Sequence, residues 1–346
     1  MAHIITTPWT RTGRSIAIEK AIAAIYERYF AKGPRWVAKH LPQRSEMPQF
    51  GDRVSADSRE ILLGGYGVES FIEDYAVLAI QGSGDSISTK QTYTQWVYDE
   101  TRHSKALRYC LVDSGLYSQQ EVDQYAHECG QDIWTFERQT GYEATPERGA
   151  AYAIAQERQT KRNYQDMQRR LWQEYGSPLD AAGRPVYPAI AGVCRTLATD
   201  EGFHEGVFRQ ITRAYLAFWP DKALRAMWEV YERYRMPLVK LPNAEAFLQA
   251  VLSTGIDSAR SVVRNVLEPT YAAMGFESRA ALRRAARESW DLPEGAVIQV
   301  GDEPLHDLTE GTIPYQMHHD GSFAPVTQPL MAKTDRNRRA AARQPI

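Results

Sequence analysis

Two distant segments of the chain carry the same pattern, Asp-Glu-x-x-His, each inside a long helical run. They are Asp99-Glu100-Thr-Arg-His103 and Asp200-Glu201-Gly-Phe-His204. In a helix, residues three apart are neighbours on one face, so the Glu and the His of each copy can reach the same point. Around the second copy, Cys194, Leu197, Phe208, Ile211 and Tyr215 continue that face; around the first, Trp96, Leu107 and Cys110 do. Both stripes are apolar except for the Glu and the His. An ionised carboxylate on an apolar stripe is costly unless something compensates it, and a cation does so.

One such pair alone reads better as a solvated Glu beside a hydrogen-bonded His. Two copies on two long helices fit a four-helix di-metal bundle. That architecture takes one Glu from each of two helices and a Glu-x-x-His pair from each of the other two. A lone Glu should then precede each pair. Glu69 and Glu73 lie before the first. Glu157 lies before the second, on a helix whose face also carries Ala150, Ala153 and Ile154. Four carboxylates and two imidazoles around two divalent ions give a near-neutral site. This donor set contains no thiolate and suits iron, or manganese with iron, without choosing between them.

The rest of the chain supports a helical reading. Helices are expected over about Ser15–Phe30, Ser58–Ala79, Ser88–Leu111, Gln119–Phe136, Pro146–Tyr175, Pro188–Phe218, Asp221–Arg235, Ala244–Leu252, Asp257–Met274 and Ser278–Ser289. Gly64-Gly65-Tyr66-Gly67 either loosens the second of these or is a loop between two helices. Residues 291–346 change character, being rich in Pro, Gly and polar side chains. Val297–Val300 fits a short strand, and the basic stretch Lys333–Arg343 fits a frayed tail. The expected organisation is one all-α domain over 1–290 followed by an extended segment over 291–346.

Composition narrows the function. The 346 residues hold 41 Lys plus Arg against 43 Asp plus Glu, a net charge of -2, which gives no support to nucleic-acid binding. Three scattered cysteines make neither a disulfide scaffold nor a thiolate metal site. No run approaches the roughly 18 apolar residues that span a bilayer, and the first 15 residues have no signal-peptide pattern, so a cytoplasmic location is expected. No dinucleotide-binding fingerprint is present, since the glycine cluster is not Gly-x-Gly-x-x-Gly after a strand.

The ligand segments resemble those of the soluble acyl-carrier-protein desaturases, the plant stearoyl type and its bacterial relatives, within the ferritin-like di-iron carboxylate superfamily. Glu69 through Tyr75 is similar to the family's first ligand helix, whose Glu also precedes a Tyr by six positions, and this favours Glu69 over Glu73. Trp96, Glu100, Arg102 and His103 match a Trp-Thr-x-Glu-Glu-Asn-Arg-His segment. Gln156-Glu157-Arg158-Gln-Thr160 resembles Gln-Glu-Arg-Ala-Thr. Ala198 through His204 resembles Ala-Ala-Asp-Glu-Lys-Arg-His, with Gly202-Phe203 in place of Lys-Arg. Met236-Pro237 falls where the family has Met-Pro. The loop between Glu69 and Glu100 is shorter than the plant pattern, and an insertion lies around 176–188.

The resemblance implies a ferritin-like four-helix bundle with flanking helices. It implies two irons bound by Glu69, Glu100, His103, Glu157, Glu201 and His204. Thr160 would sit beside the oxygen-binding face, Asp200 would accept an imidazole N–H, and Trp96 would lie near the cluster. The implied activity is oxygen-dependent desaturation of a fatty acyl chain on acyl carrier protein. A ferredoxin-like donor would supply the electrons, and the implied form is a homodimer. On the helix after Pro146, Arg158, Lys161, Arg162 and Arg169 share a broad face, which either is simply solvated or meets the acidic carrier. Three other readings remain. One is a di-iron oxygenase performing hydroxylation, N-oxygenation or oxidative cleavage on a carrier-bound or free small molecule. A second is a radical-generating subunit using Tyr93 or Tyr164, each seven residues from a proposed ligand. The third is a non-enzymatic helical metal-binding protein.

Overall fold

The computed structural model describes residues 2–5, 11–32, 53–175, 182, 189–236, 241–291, 297–300, 303–304, 316–317 and 323–324. Thirteen helices occur among them: α1 (Arg11–Lys32), α2 (Ala56–Glu69), α3 (Ile72–Gly82), α4 (Ile87–Asp113), α5 (Gln119–Cys129), α6 (Phe136–Thr140), α7 (Pro146–Tyr175), α8 (Ala189–Phe218), α9 (Pro220–Glu232), α10 (Ala244–Thr254), α11 (Ala259–Val262), α12 (Glu268–Ala273) and α13 (Arg279–Glu288). Short strands lie towards the two ends of the chain. β1 (Ala2–Ile5) pairs antiparallel with β2 (Val297–Val300), and β2 with β3 (Glu303–Pro304). A second hairpin joins β4 (Gln316–Met317) to β5 (Phe323–Ala324). The strand expected at Val297–Val300 is present. Its partner, Ala2–Ile5, carried no strand expectation, and the basic stretch Lys333–Arg343 lies outside the described residues.

Four helices form the bundle. α7 packs along α8, α4 against α8, and α2 against both α4 and α7, while α1 lies across α4 and α8. The longest apolar runs end up innermost. On α8, Cys194, Leu197, Phe208 and Ile211 are buried, as are Ile154, Met167 and Leu171 on α7. Helix starts follow local chemistry. The Ser86 side chain accepts from the Thr89 amide to open α4, and Ser118 with Glu121 forms a capping box on α5.

Three expectations are corrected. The glycine cluster is neither a loop nor an interruption: α2 runs through it and stops after Glu69. The glycines serve packing. A Cβ on Gly64 would fall inside the Phe247 ring of α10, and one on Gly67 would lie 2.6 Å from Leu241 and 2.8 Å from the Tyr125 hydroxyl. The helix expected over Gln119–Phe136 ends at Cys129. Its chain restarts as α6, with Thr135 capping the new helix. The helix expected over Asp257–Met274 contains a π-helical turn, Val263–Leu267, between α11 and α12. Pro269 explains it: proline has no N–H for the carbonyl four residues back and clashes with it, and a wider turn relieves the clash.

Candidate metal centre

The five carboxylate and imidazole side chains singled out by spacing, with Glu69, which the resemblance favours over Glu73, meet in the middle of the bundle, all of them buried. They form two overlapping groups. Glu69, Glu100, His103 and Glu201 make one; Glu100, Glu157, Glu201 and His204 make the other. Within each, one donor atom per residue lies within 4.8 Å of the others. Glu100 and Glu201 belong to both groups, so the pattern is that of two cations sharing two carboxylates. The side chain of Glu73, on α3, lies outside the described residues.

Each imidazole turns Nδ1 towards the carboxylates. His103 Nδ1 lies 2.9 Å from Glu100 Oε2 and 3.3 Å from Glu201 Oε1. His204 Nδ1 lies 2.9 Å from Glu100 Oε1 and 3.3 Å from Glu157 Oε2. The far nitrogens reach across to the other copy of the motif. His103 Nε2 is 3.2 Å from Asp200 Oδ2, and His204 Nε2 is 3.6 Å from Asp99 Oδ2. An ionised carboxylate can only accept, so Asp200 holds a proton of His103 on Nε2, and once Nδ1 gives up its own proton its lone pair faces the centre.

Several donor atoms lack hydrogen bonds within the chain. Glu100 Oε1, Glu157 Oε2, Glu201 Oε1 and His204 Nδ1 are buried without a hydrogen-bond partner among the described residues. Buried polar atoms are rarely left so, and a bound cation satisfies all of them at once. The donor chemistry therefore fits two divalent ions of the iron or manganese type.

The charges say the same. Burial, then the neighbouring Glu100 and Glu201, push the Glu69 carboxyl well above its ordinary value. Burial, then Glu201 and Glu100, do this to Glu157. Glu69 is also the last residue of α2, where the helix dipole disfavours a negative charge. Burial opposes ionisation of Glu100 too, but His103 and His204 overcome it and hold that carboxyl low. Glu201 is also lowered, against burial and Glu100, by the nearness of Glu157 and both histidines. Against the cost of burial, Glu100 and Asp200 raise His103, while Tyr29, Asp99 and Glu100 raise His204.

The remaining sequence-derived residues fall around this core. The Trp96 indole N–H donates to Glu157 Oε1 at 3.0 Å, and its ring packs edge-on against Phe208 and Tyr93. The Thr160 hydroxyl donates to its own helix at Gln156 O, 3.0 Å away, and the residue also forms part of a cavity wall with Glu69 and Tyr164. Three further side chains contribute, of which the sequence offers Tyr164 only as a candidate radical site and Arg102 only as part of a matching segment. Tyr29 on α1 donates to Asp99 Oδ2 at 2.7 Å. Arg102 pairs with the same carboxylate. The Tyr164 hydroxyl donates to Glu69 Oε1. The repeat itself signals Asp99, which holds the place in the first copy that Asp200 holds in the second. Tyr29 has no local signal, because it arrives from a helix about 70 residues away.

Two apolar cavities flank the centre. The first is lined by Ile61, Leu62, Leu107, Met167, Phe247 and Val251, and meets the centre at Glu69. The second is lined by Tyr93, Trp134, Phe136, Tyr152 and Ala153, and meets it at Trp96. The basic face of α7 is answered by carboxylates: Arg158 and Lys161 pair with Glu205, and Arg162 and Arg169 with Asp166. No described helix is long and apolar enough to cross a membrane.

Comparison with known proteins gives the same picture. Two rice proteins, acyl-(acyl-carrier-protein) desaturase 3, chloroplastic, of Oryza sativa subsp. indica and subsp. japonica, are each 27% identical over 215 residues. That stretch covers 56% of this chain and 49% of theirs, so the chain spans about half the length of the curated relatives it matches. The X-ray structure of DesA2 from Mycobacterium tuberculosis, a proposed acyl-ACP desaturase, superposes with a TM-score of 0.52 at 16% identity. It covers 79% of this chain and 98% of that one, a likeness of fold. The fatty acid desaturase family model matches residues 77–292 and so includes five of the six clustered residues, Glu69 alone preceding it. With that match over more than half of its length, the chain belongs to the fatty acid desaturase family.

Proposed function

We propose that the protein is a di-iron oxidoreductase that desaturates a fatty acyl chain presented on acyl carrier protein. Glu69 and His103 would hold one iron, Glu157 and His204 the other, and Glu100 and Glu201 would bridge the two. The observation that carries this reading is the pair of overlapping buried donor groups with apolar cavities on both sides. When bound and reduced by an external donor, the irons supply the dioxygen chemistry that removes two hydrogens from an unactivated chain.

The chain's own residues supply position and dryness. An apolar chain entering through the first cavity passes Glu69 and Thr160 and ends against the aromatic wall of the second. The two cavities then measure how much of the chain lies beyond the metals. The aromatic second cavity excludes water and suits the end of a straight apolar chain, which favours desaturation over the oxygenase alternative, while Gln159, Asn163 and Asp257 give the first cavity one polar side. Asp200 and Asp99 orient the two imidazoles, and Trp96 holds Glu157 in place. A ferredoxin-like donor and a homodimeric state remain proposals that rest on the desaturase relationship.

Anaerobic loading with ferrous iron and manganese in competition tests the centre, followed by single turnover with acyl carrier protein bearing saturated chains of graded length. About two irons per chain and an alkene product are expected. Ala153→Phe, which fills the second cavity, should shift preference to shorter chains with metal content unchanged. A folded protein that takes up neither metal overturns the proposal.

A further inference from the structure

The cations of α7 and those of α13 are treated differently by the fold. Every cation of the α7 face finds a carboxylate. On α13, Arg279, Arg283 and Arg287 recur at four-residue spacing and form one exposed stripe that runs into Trp290, which is 67% exposed. Lys222 and Arg225 on α9 extend it. Among the described residues, the only carboxylate within 4 Å of these five cations is Glu232, 4.0 Å from Arg279.

Aromatic rings seat the charges. The Arg279 and Arg283 guanidinium carbons lie 5.4 and 5.7 Å from the Trp228 ring centroid. Arg225 lies 5.5 Å from that of Trp290, and Lys222 Nζ is 4.2 Å from that of Trp219. Such stacking orients a cation without neutralising it. Like charges four residues apart also weaken a helix. The stripe thus costs α13 some stability and leaves a row of oriented, uncompensated charge. Arg and Trp together are the side chains most enriched at the energetic centres of protein interfaces.

We propose that this α9–α13 face docks an acidic protein. An elongated row over roughly two helical turns matches a carboxylate-bearing helix better than a compact anion. Lipid binding by an amphipathic helix needs a free apolar face. The apolar side of α13, Leu282, Ala285 and Ala286, is already buried. The location also suits delivery to the first cavity. Arg279 reaches Glu232, the last residue of α9, and Met236, four residues further on, lines that cavity. Resting on the proposed function, the acidic partner is the acyl carrier protein, with its acyl arm turned towards Met236.

The test uses the full-length, iron-loaded chain with acyl-loaded carrier protein, comparing the wild type with the double variant Arg283→Glu, Arg287→Glu. Charge reversal should weaken carrier binding about ten-fold or more and remove most of its salt dependence. In turnover the loss should fall on KM. Metal content and Tm report folding. Arg169→Glu, on the exposed Arg169–Asp166 pair of α7, serves as the control and should change neither carrier affinity nor KM. Carrier affinity within two-fold of wild type in the double variant overturns the docking face, even if turnover persists. Binding to phosphatidylglycerol vesicles that the reversal abolishes, with carrier binding untouched, also overturns it. A carrier that binds through the stripe but is never desaturated leaves the docking face standing and removes the proposed reaction instead.

Discussion

The two halves of the metal centre come from copies of one motif, yet their surroundings differ. In the half built by Glu69 and His103, the imidazole is anchored by Asp200 at 3.2 Å, and the lone Glu accepts from Tyr164 on a cavity wall. In the half built by Glu157 and His204, the anchor Asp99 stands off at 3.6 Å. It shares its Oδ2 with Tyr29 and gives its Oδ1 to Arg102 and Gln95. Trp96 occupies the lone Glu there. One half has a well-anchored ligand and an open flank. The other has a carboxylate held from four sides and an aromatic lid. The motif fixes the donors, and the neighbouring helices decide which half faces the substrate.

The largest effect should come from breaking what the halves share. Glu201→Ala removes a donor from both groups, and metal content should fall from about two ions per chain to near none. Glu69→Ala and Glu157→Ala each remove a donor from one group only, so the opposite ion should survive longer in a chelator titration. Equal loss of both ions in all three variants would mean that the halves do not act separately.

Next in size is the exchange of protons for metal. In the metal-free protein Glu69, Glu157, His103 and His204 are all raised, so the folded state keeps their protons to higher pH than the unfolded chain does. The stability contributed by the raised histidines is complete below about pH 6.5 and disappears as pH climbs through their folded values. The cost of the raised carboxyls grows from about pH 4.3 upward. Both trends lower the Tm of the metal-free protein between about pH 6 and 9. Glu100 and Glu201, being lowered, act in the opposite sense: their contribution is present above about pH 4.3 and is lost on further acidification. Metal loading should release protons, because the raised carboxyls and imidazoles must give theirs up to bind. The loaded protein should then show a nearly flat Tm over the alkaline range. Calorimetry in buffers of differing ionisation enthalpy counts the protons.

The imidazole anchors separate the halves more finely. Asp200→Asn and Asp99→Asn should each weaken metal affinity about 10- to 100-fold, first at the ion of the histidine concerned. The shorter contact at His103 places Asp200→Asn at the upper end of that range. Iron-binding isotherms of the two variants, each showing one displaced step, would establish the order.

How much of this was legible in the sequence follows from how local each cause is. Glu100, His103, Glu201 and His204 announce themselves by a three-residue spacing that a helix converts directly into a shared face. Glu157 needed the additional idea of a bundle, and the choice of Glu69 over Glu73 needed the family resemblance as well. The end of α2 at Glu69 was misjudged because the glycines before it look like helix breakers. Their role is set by Phe247 and Leu241, about 180 residues away. The α7 cations read as a possible docking face because sequence spacing cannot show that Glu205, from α8, would neutralise two of them. Tyr29 was invisible for the same reason, its partner being supplied by a different helix.

Tyr29 also gives the smallest and sharpest test of the asymmetry. Tyr29→Phe removes one buried hydrogen bond to Asp99 and leaves the ring that packs against Phe203 and His204. Because Arg102 and Gln95 still hold the other oxygen of Asp99, the carboxylate keeps its place and its charge. The cost to stability should be about 0.5–1.5 kcal/mol, the net worth of a single hydrogen bond. Any change in metal affinity should be confined to the His204 ion. With the competing donor gone, Asp99 Oδ2 becomes fully available to His204 Nε2, so that ion should be held as tightly as before or slightly more so. Tyr164→Phe is the counterpart in the other half. Glu69 sits at a helix C-terminus, so loss of its donor should weaken the His103 ion. Opposite signs for two Tyr-to-Phe changes, read from the same two-step iron isotherm, are what two unequal halves require. Equal weakening in both would mean that the tyrosines merely support the bundle.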